Sequence, residues 1–136
     1  MALVAVMVFG AVSPAMAARR SVFVHKPYTA RYSNKVGVEF KAWGWVAPKM
    51  RDLDTKRVEI QIFKRTGPAK YEFVRSVDAT LFNAPRFRNS TRYKAMVSVD
   101  ATGSYRMRAK LTLETTPAVT HKRTTFSSFK YFRARP

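Results

Sequence analysis

The sequence predicts an all-β protein, a single antiparallel two-layer sandwich of about seven strands. Three observations predict it. Apolar residues recur at every second position in short runs, clusters of Gly, Pro, Asn, Asp and Ser separate those runs, and no stripe at helical spacing outlasts two turns. Two-residue alternation turns one side of a strand toward a dry interior and the other toward water, and two sheets facing each other satisfy many such strands at once.

The first element is not part of that domain. Residues 2–12 are apolar or small and lead into Ser13-Pro14-Ala15-Met16-Ala17, where Ala15 and Ala17 make an A-x-A cleavage site. Pro14 ends any helix the apolar run begins. The run is shorter than the roughly 20 residues a membrane span needs. The expectation is a removable signal peptide over 1–17, cut before Ala18, and one domain over 18–136 that is secreted or held in the cell envelope with no transmembrane span. No Lys or Arg precedes the apolar run, which departs from the usual leader pattern.

An early strand includes Val22, Val24 or Tyr28. Val36, Val38, Phe40 and Ala42 then alternate with Gly37, Glu39, Lys41 and Trp43, and residues 44–48 end that strand. Val58, Ile60 and Ile62, the Gly67-Pro68 turn and residues 71–77 read as a hairpin. A second hairpin has Tyr93, Ala95, Val97 and Val99 on one arm and Tyr105, Met107, Ala109, Leu111 and Leu113 on the other. A closing strand over 126–134 carries Phe129, Tyr131 and Phe132. Residues 48–55, 83–90 and 115–125 read as mobile loops.

The run Asp100-Ala101-Thr102-Gly103-Ser104-Tyr105-Arg106-Met107-Arg108-Ala109 resembles the turn and strand of immunoglobulin-like domains in which a tyrosine closes a corner. Together with Ser127-Ser128-Phe129-Lys130-Tyr131-Phe132 it is similar to the last two strands of immunoglobulin-like or fibronectin type III-like domains of secreted bacterial proteins, and Gly44-Trp45-Val46-Ala47-Pro48 resembles an early strand end in them. The resemblance spans residues 30–136. It implies that the Tyr105 hydroxyl bonds backbone near Asp100, and that Met107 takes the core position antibody domains give to a disulfide cysteine. It implies a fold shared by many functions and carries no activity across.

Composition bounds the partners. Across 136 residues, 26 Lys and Arg face 8 Asp and Glu, a net charge of +18 that draws anionic partners and opposes compaction. Apolar residues, at 46%, are enough for the core of one ordinary domain. Cysteine is absent, which excludes disulfides, thiolate catalysis and cysteine metal sites. His25 and His121 are the two imidazoles, in no metal-binding spacing, and there is no G-x-S-x-G elbow. Asp52 and Asp54 read as turn residues. No catalytic residue, metal or cofactor is expected.

The candidate binding residues are basic and aromatic. Opposite the apolar set of residues 105–113 stand Arg106, Arg108 and Lys110, with Lys130 on the closing strand as an extension of the row. This row fits an anionic envelope polymer or an acidic protein, and it equally fits solvated side chains on a protein that is basic throughout. Trp43 and Trp45 share a strand face and form either an aromatic contact for a partner or internal packing. Arg86, Phe87, Arg88, Arg92 and Tyr93 mix cations with rings as single-stranded nucleic-acid binders do, but Tyr93 falls on the buried side and the leader argues against that role. The leading expectation is a non-catalytic binding module, and the alternative is an envelope or assembly component joined through aromatic contacts. An enzyme with an unfamiliar loop site is a third possibility, since sandwich folds can host chemistry in their loops.

Overall fold

β-Branched and aromatic residues at every second position form strands because their side chains pack on a pleated surface, and the computed structural model, which describes residues 22–113 and 123–136, is built from them. Seven strands of four or more residues are present among the described residues: β4 (Phe40–Ala47), β5 (Lys56–Gly67), β6 (Lys70–Phe82), β7 (Thr91–Val97), β8 (Gly103–Leu113), β9 (Arg123–Phe126) and β10 (Lys130–Arg135). Three short ones precede them: β1 (Phe23–Val24), β2 (Tyr28–Thr29) and β3 (Ser33–Lys35). One 3-10 turn, Leu53–Thr55, interrupts the strands. The expected leader lies outside the described residues, as does the 114–122 part of the third expected loop.

The strands make one curled, mixed sheet in the order β1-β4-β7-β6-β5-β8-β10-β3, with β2 on β4 and β9 on β8. Neighbours are antiparallel except β3 and β10, which run parallel. β6 belongs to both halves: Thr80, Leu81 and Phe82 pair with β7, while Lys70 to Ala79 pair with β5. The curl brings alternate residues of both halves into a single core. Ala42 and Val46 of β4, Tyr93, Ala95 and Val97 of β7, Val58, Ile60 and Ile62 of β5, Tyr105, Met107, Ala109 and Leu111 of β8, and Phe132 and Ala134 of β10 are all buried there.

β4 starts later than the alternation suggests. Val36 and Val38 are not on it, and Val38 is 51% exposed. Gly37 takes φ 76° and donates its N–H to the Val99 carbonyl at 2.8 Å, so the chain turns where the pattern alone continues. β6 instead runs five residues beyond the expected Val77 end.

Two expected loops are tied down by one triad. The Met50 N–H donates to Thr91 Oγ1 at 2.8 Å, the Thr91 hydroxyl donates to Asn83 Oδ1 at 2.6 Å, and Asn83 Nδ2 donates to the Met50 carbonyl at 2.9 Å. Thr91 is fully buried at the start of β7, so this ring of hydrogen bonds joins the 48–55 and 83–90 stretches to the core.

Candidate anion-binding face

β8 sets the site. Its inward residues Tyr105, Met107, Ala109 and Leu111 are buried, so Arg106, Arg108 and Lys110 project from the opposite side, each half-buried. The neighbours of that side are fixed by register. Across the ladder from β5, Arg106 faces Phe63, Arg108 faces Gln61 and Lys110 faces Glu59. On the other flank Arg106 faces Tyr131 and Lys110 faces Phe126.

Two irregularities supply the rest of the surroundings. Phe126 pairs with Lys110 but Lys130 pairs with Met107, so four steps along β9 and β10 cover three along β8. The extra residue is a bulge at 127–129. Without it Phe126 and Phe129, three apart, would point to opposite sides; with it both reach Arg108. Ser127 repairs the interrupted ladder: its N–H bonds the Ala109 carbonyl at 2.9 Å, and its buried hydroxyl accepts from the Ala109 N–H at 2.8 Å and donates to the Ser128 carbonyl at 2.7 Å. On the far flank, a shift between Ile62 and Phe63 leaves Val74 unpaired and puts Phe73 opposite Phe63, with Tyr71 on the same side two residues away.

The result is an alternating stack of cations and rings. The Arg106 guanidinium lies 4.1 Å from the Tyr71 ring centre and 3.9 Å from that of Phe129. Arg108 lies 4.0 Å from Phe126 and 5.2 Å from Phe129, and its Nε donates to Gln61 Oε1 at 2.9 Å. Each contact of this kind contributes about 0.5–2 kcal/mol. Burial, and then the neighbouring charge of Arg106, lower the Arg108 pKa, but a guanidinium stays protonated at neutral pH. The rings cover the faces of the two cations while the planar edges carry the N–H donors, which is the geometry that takes a carboxylate or phosphate in two parallel bonds.

Lys130 does not extend this row. It sits opposite Met107, and residues opposite each other in an antiparallel pair share a side; Tyr131 takes the place beside Arg106 instead. The bulge shifts the parity of the closing strand by one, so counting from β8 misplaces Lys130. Tyr105 is buried and donates to the Ala101 carbonyl at 2.5 Å, one residue past Asp100. Burial raises its pKa, against a smaller lowering by that hydrogen bond.

Trp43 and Trp45 lie together on the outer side of β4, both half-buried. Trp45 is covered: the His25 ring stacks on it at 3.9 Å, Tyr28 stacks on His25 at 4.8 Å, and the Arg92 guanidinium stands 5.5 Å away. Trp43 adjoins Tyr28 at 6.3 Å and Lys41 at 5.7 Å. Arg92 also lies over Phe87 at 4.0 Å, which uses the Arg92 and Phe87 pair of the sequence for packing. Tyr93 is fully buried and donates to the His25 carbonyl at 2.6 Å; burial raises its pKa more than the charge of Arg92 lowers it.

The aromatic members of the stack, Tyr71, Phe126 and Phe129, are absent from the sequence-derived site. Their only signal is position: each is register-adjacent to an outward Arg once both bulges are known. Among the described residues no helix is long and apolar enough to cross a membrane. The chain matches no protein-family model and no curated protein sequence.

Proposed function

We propose that the chain is a non-catalytic binding module of immunoglobulin-like or fibronectin type III-like sandwich type, exported by its leader, that holds an anionic envelope polymer or an acidic protein on the Arg106–Arg108 face. The observation that carries this reading is the stack itself. Two guanidinium groups held between rings lose little freedom on binding, so their donors are in place before a ligand arrives. Even if every one of the 8 acidic residues neutralised a cation, 18 of the 26 Lys and Arg would stay uncompensated, and that surplus draws polyanions to the surface. The single core drawn from both halves of the sheet supports the sandwich reading.

Binding to immobilised polyglutamate and to a sulfated polysaccharide tests this proposal. The Arg106→Gln/Arg108→Gln variant should lose about tenfold in affinity at physiological salt, and a charge-matched Lys49→Gln/Arg51→Gln variant about twofold. Affinity for both should fall steeply with added salt. Equal losses in the two variants would assign binding to diffuse charge and sink the site.

Export has its own test. Mass spectrometry of the protein recovered outside the cytoplasm should give Ala18 as the first residue; a product retained in the cytosol with residues 1–17 attached would end the secreted reading.

A second reading has a specific observation behind it. Phe23 and Met96 are more than half or half exposed beside the Trp43–Trp45 cluster, with Tyr28 and Phe82 above one third. A patch of this kind favours association through apolar contact, which salt would strengthen rather than weaken.

A further inference from the structure

A second basic site lies at the other end of the fold and shares no residue with the Arg106 face. A cavity of about 320 Å³ opens between the segment leading through β3, the start of β4 and the end of β10. Arg31, Lys35, Lys41 and Arg135 line it, against a single carboxylate, Glu39. That leaves a surplus of three positive charges at one concave site. Val38 and Phe40 supply its apolar lining, and Ser33 and Asn34 its neutral polar groups.

The walls are fixed by backbone hydrogen bonds, so the cavity exists before a ligand enters. The Val36 N–H bonds the Arg135 carbonyl at 2.8 Å, the Arg133 N–H bonds the Tyr32 carbonyl at 2.8 Å, and the Val38 N–H bonds the Lys35 carbonyl at 3.2 Å. Thr29 Oγ1 and Asn34 Nδ2 both donate to the Arg31 carbonyl, at 2.8 and 3.2 Å. Phe40 rests edge-on against buried Phe132, with ring centres 5.4 Å apart, so the floor is continuous with the core.

Size and charge together select a ligand class. Small-molecule sites usually span roughly 300–1,000 Å³, so this one takes a body no larger than a single sugar unit. A carboxylate would neutralise only one of the three surplus charges. A phosphate monoester carries about −1.5 to −2 at neutral pH and three acceptor oxygens, which matches both the charge and the donors of Arg and Lys. The geometry points to a binding site for a phosphate monoester of monosaccharide size, its phosphoryl group among Arg31, Lys35, Lys41 and Arg135 and its body against Val38 and Phe40.

The test is a titration of the isotope-labelled full chain with glucose 6-phosphate, followed through backbone amide resonances, with inorganic phosphate and glucose as separate arms. Glucose 6-phosphate should shift the amides of Lys35, Val38 and Phe40 saturably and bind about fivefold or more tighter than inorganic phosphate, because the sugar body adds apolar contact. Glucose alone should leave them in place. Lys35→Gln/Arg135→Gln should weaken binding about tenfold; both side chains are exposed and the backbone carries the hydrogen bonds of the walls, so the Tyr105 and Val99 resonances should stay put and report an intact fold. The Arg106→Gln/Arg108→Gln variant should bind glucose 6-phosphate as the parent does, whatever becomes of its polymer binding. Shifts spread over all basic surfaces, equal affinity for phosphate and its ester, or unchanged affinity in the Lys35→Gln/Arg135→Gln variant would each overturn the assignment.

Discussion

Replacing Gly44 by Ala should destabilise the protein by about 3 kcal/mol or more, near the upper end of what overpacking a core costs. A Cβ built on Gly44 overlaps the Tyr93 ring at Oη, Cζ and Cε2. The ring cannot yield cheaply. Tyr93 is fully buried, its hydroxyl is held by the His25 carbonyl at 2.6 Å, and Gly44 and Tyr93 are paired in the β4–β7 ladder. Displacing the phenol would strand a buried hydroxyl and release the segment that carries His25 from the face it packs on. Urea unfolding of the parent and the Gly44→Ala variant measures the difference; an unchanged midpoint would mean that the ring has room the geometry denies it.

Phe132→Ala should cost about 3–5 kcal/mol, the range for removing a buried aromatic side chain. Phe132 is fully buried on β10, stacks on Tyr105 with ring centres 5.3 Å apart at 13°, and takes the edge of Phe40 at 5.4 Å. It therefore joins β10 to β8 and the start of β4, three segments distant in the chain. The cavity left behind lies directly beneath the floor of the Arg31–Arg135 pocket. The amide resonances of Phe40 and Val38 should broaden or shift in this variant even where it remains folded, and a loss of stability below about 1 kcal/mol would show that the surrounding side chains refill the space.

Much of the fold is legible in the sequence because two-residue alternation is a strong constraint wherever a strand is regular. Tyr93, Ala95 and Val97, and Tyr105 to Leu111, are buried in the positions the pattern assigns them. The pattern fails where the backbone departs from regularity. Val36 and Val38 keep the alternation going through a turn that Gly37 makes by adopting positive φ. Lys130 joins the Arg106 row only if β9 and β10 are one unbroken strand, and the bulge at 127–129 breaks them. The same bulge creates the Phe126–Arg108–Phe129 contact, so one unseen residue both removes a lysine from the candidate face and adds two rings to it. The cavity near Arg135 is legible only from the fold, since its four cations are spread from position 31 to position 135 and meet through the parallel pairing of β3 with β10.

β6 ties the two halves of the sheet into a single arithmetic. Its early residues answer to β5 and its last three to β7, so sliding it by one position to suit either neighbour would invert its sides toward the other. The alignment of the whole barrel-like wrap is thereby one decision rather than two, and a chain that settles it correctly along β5 has already settled it along β7.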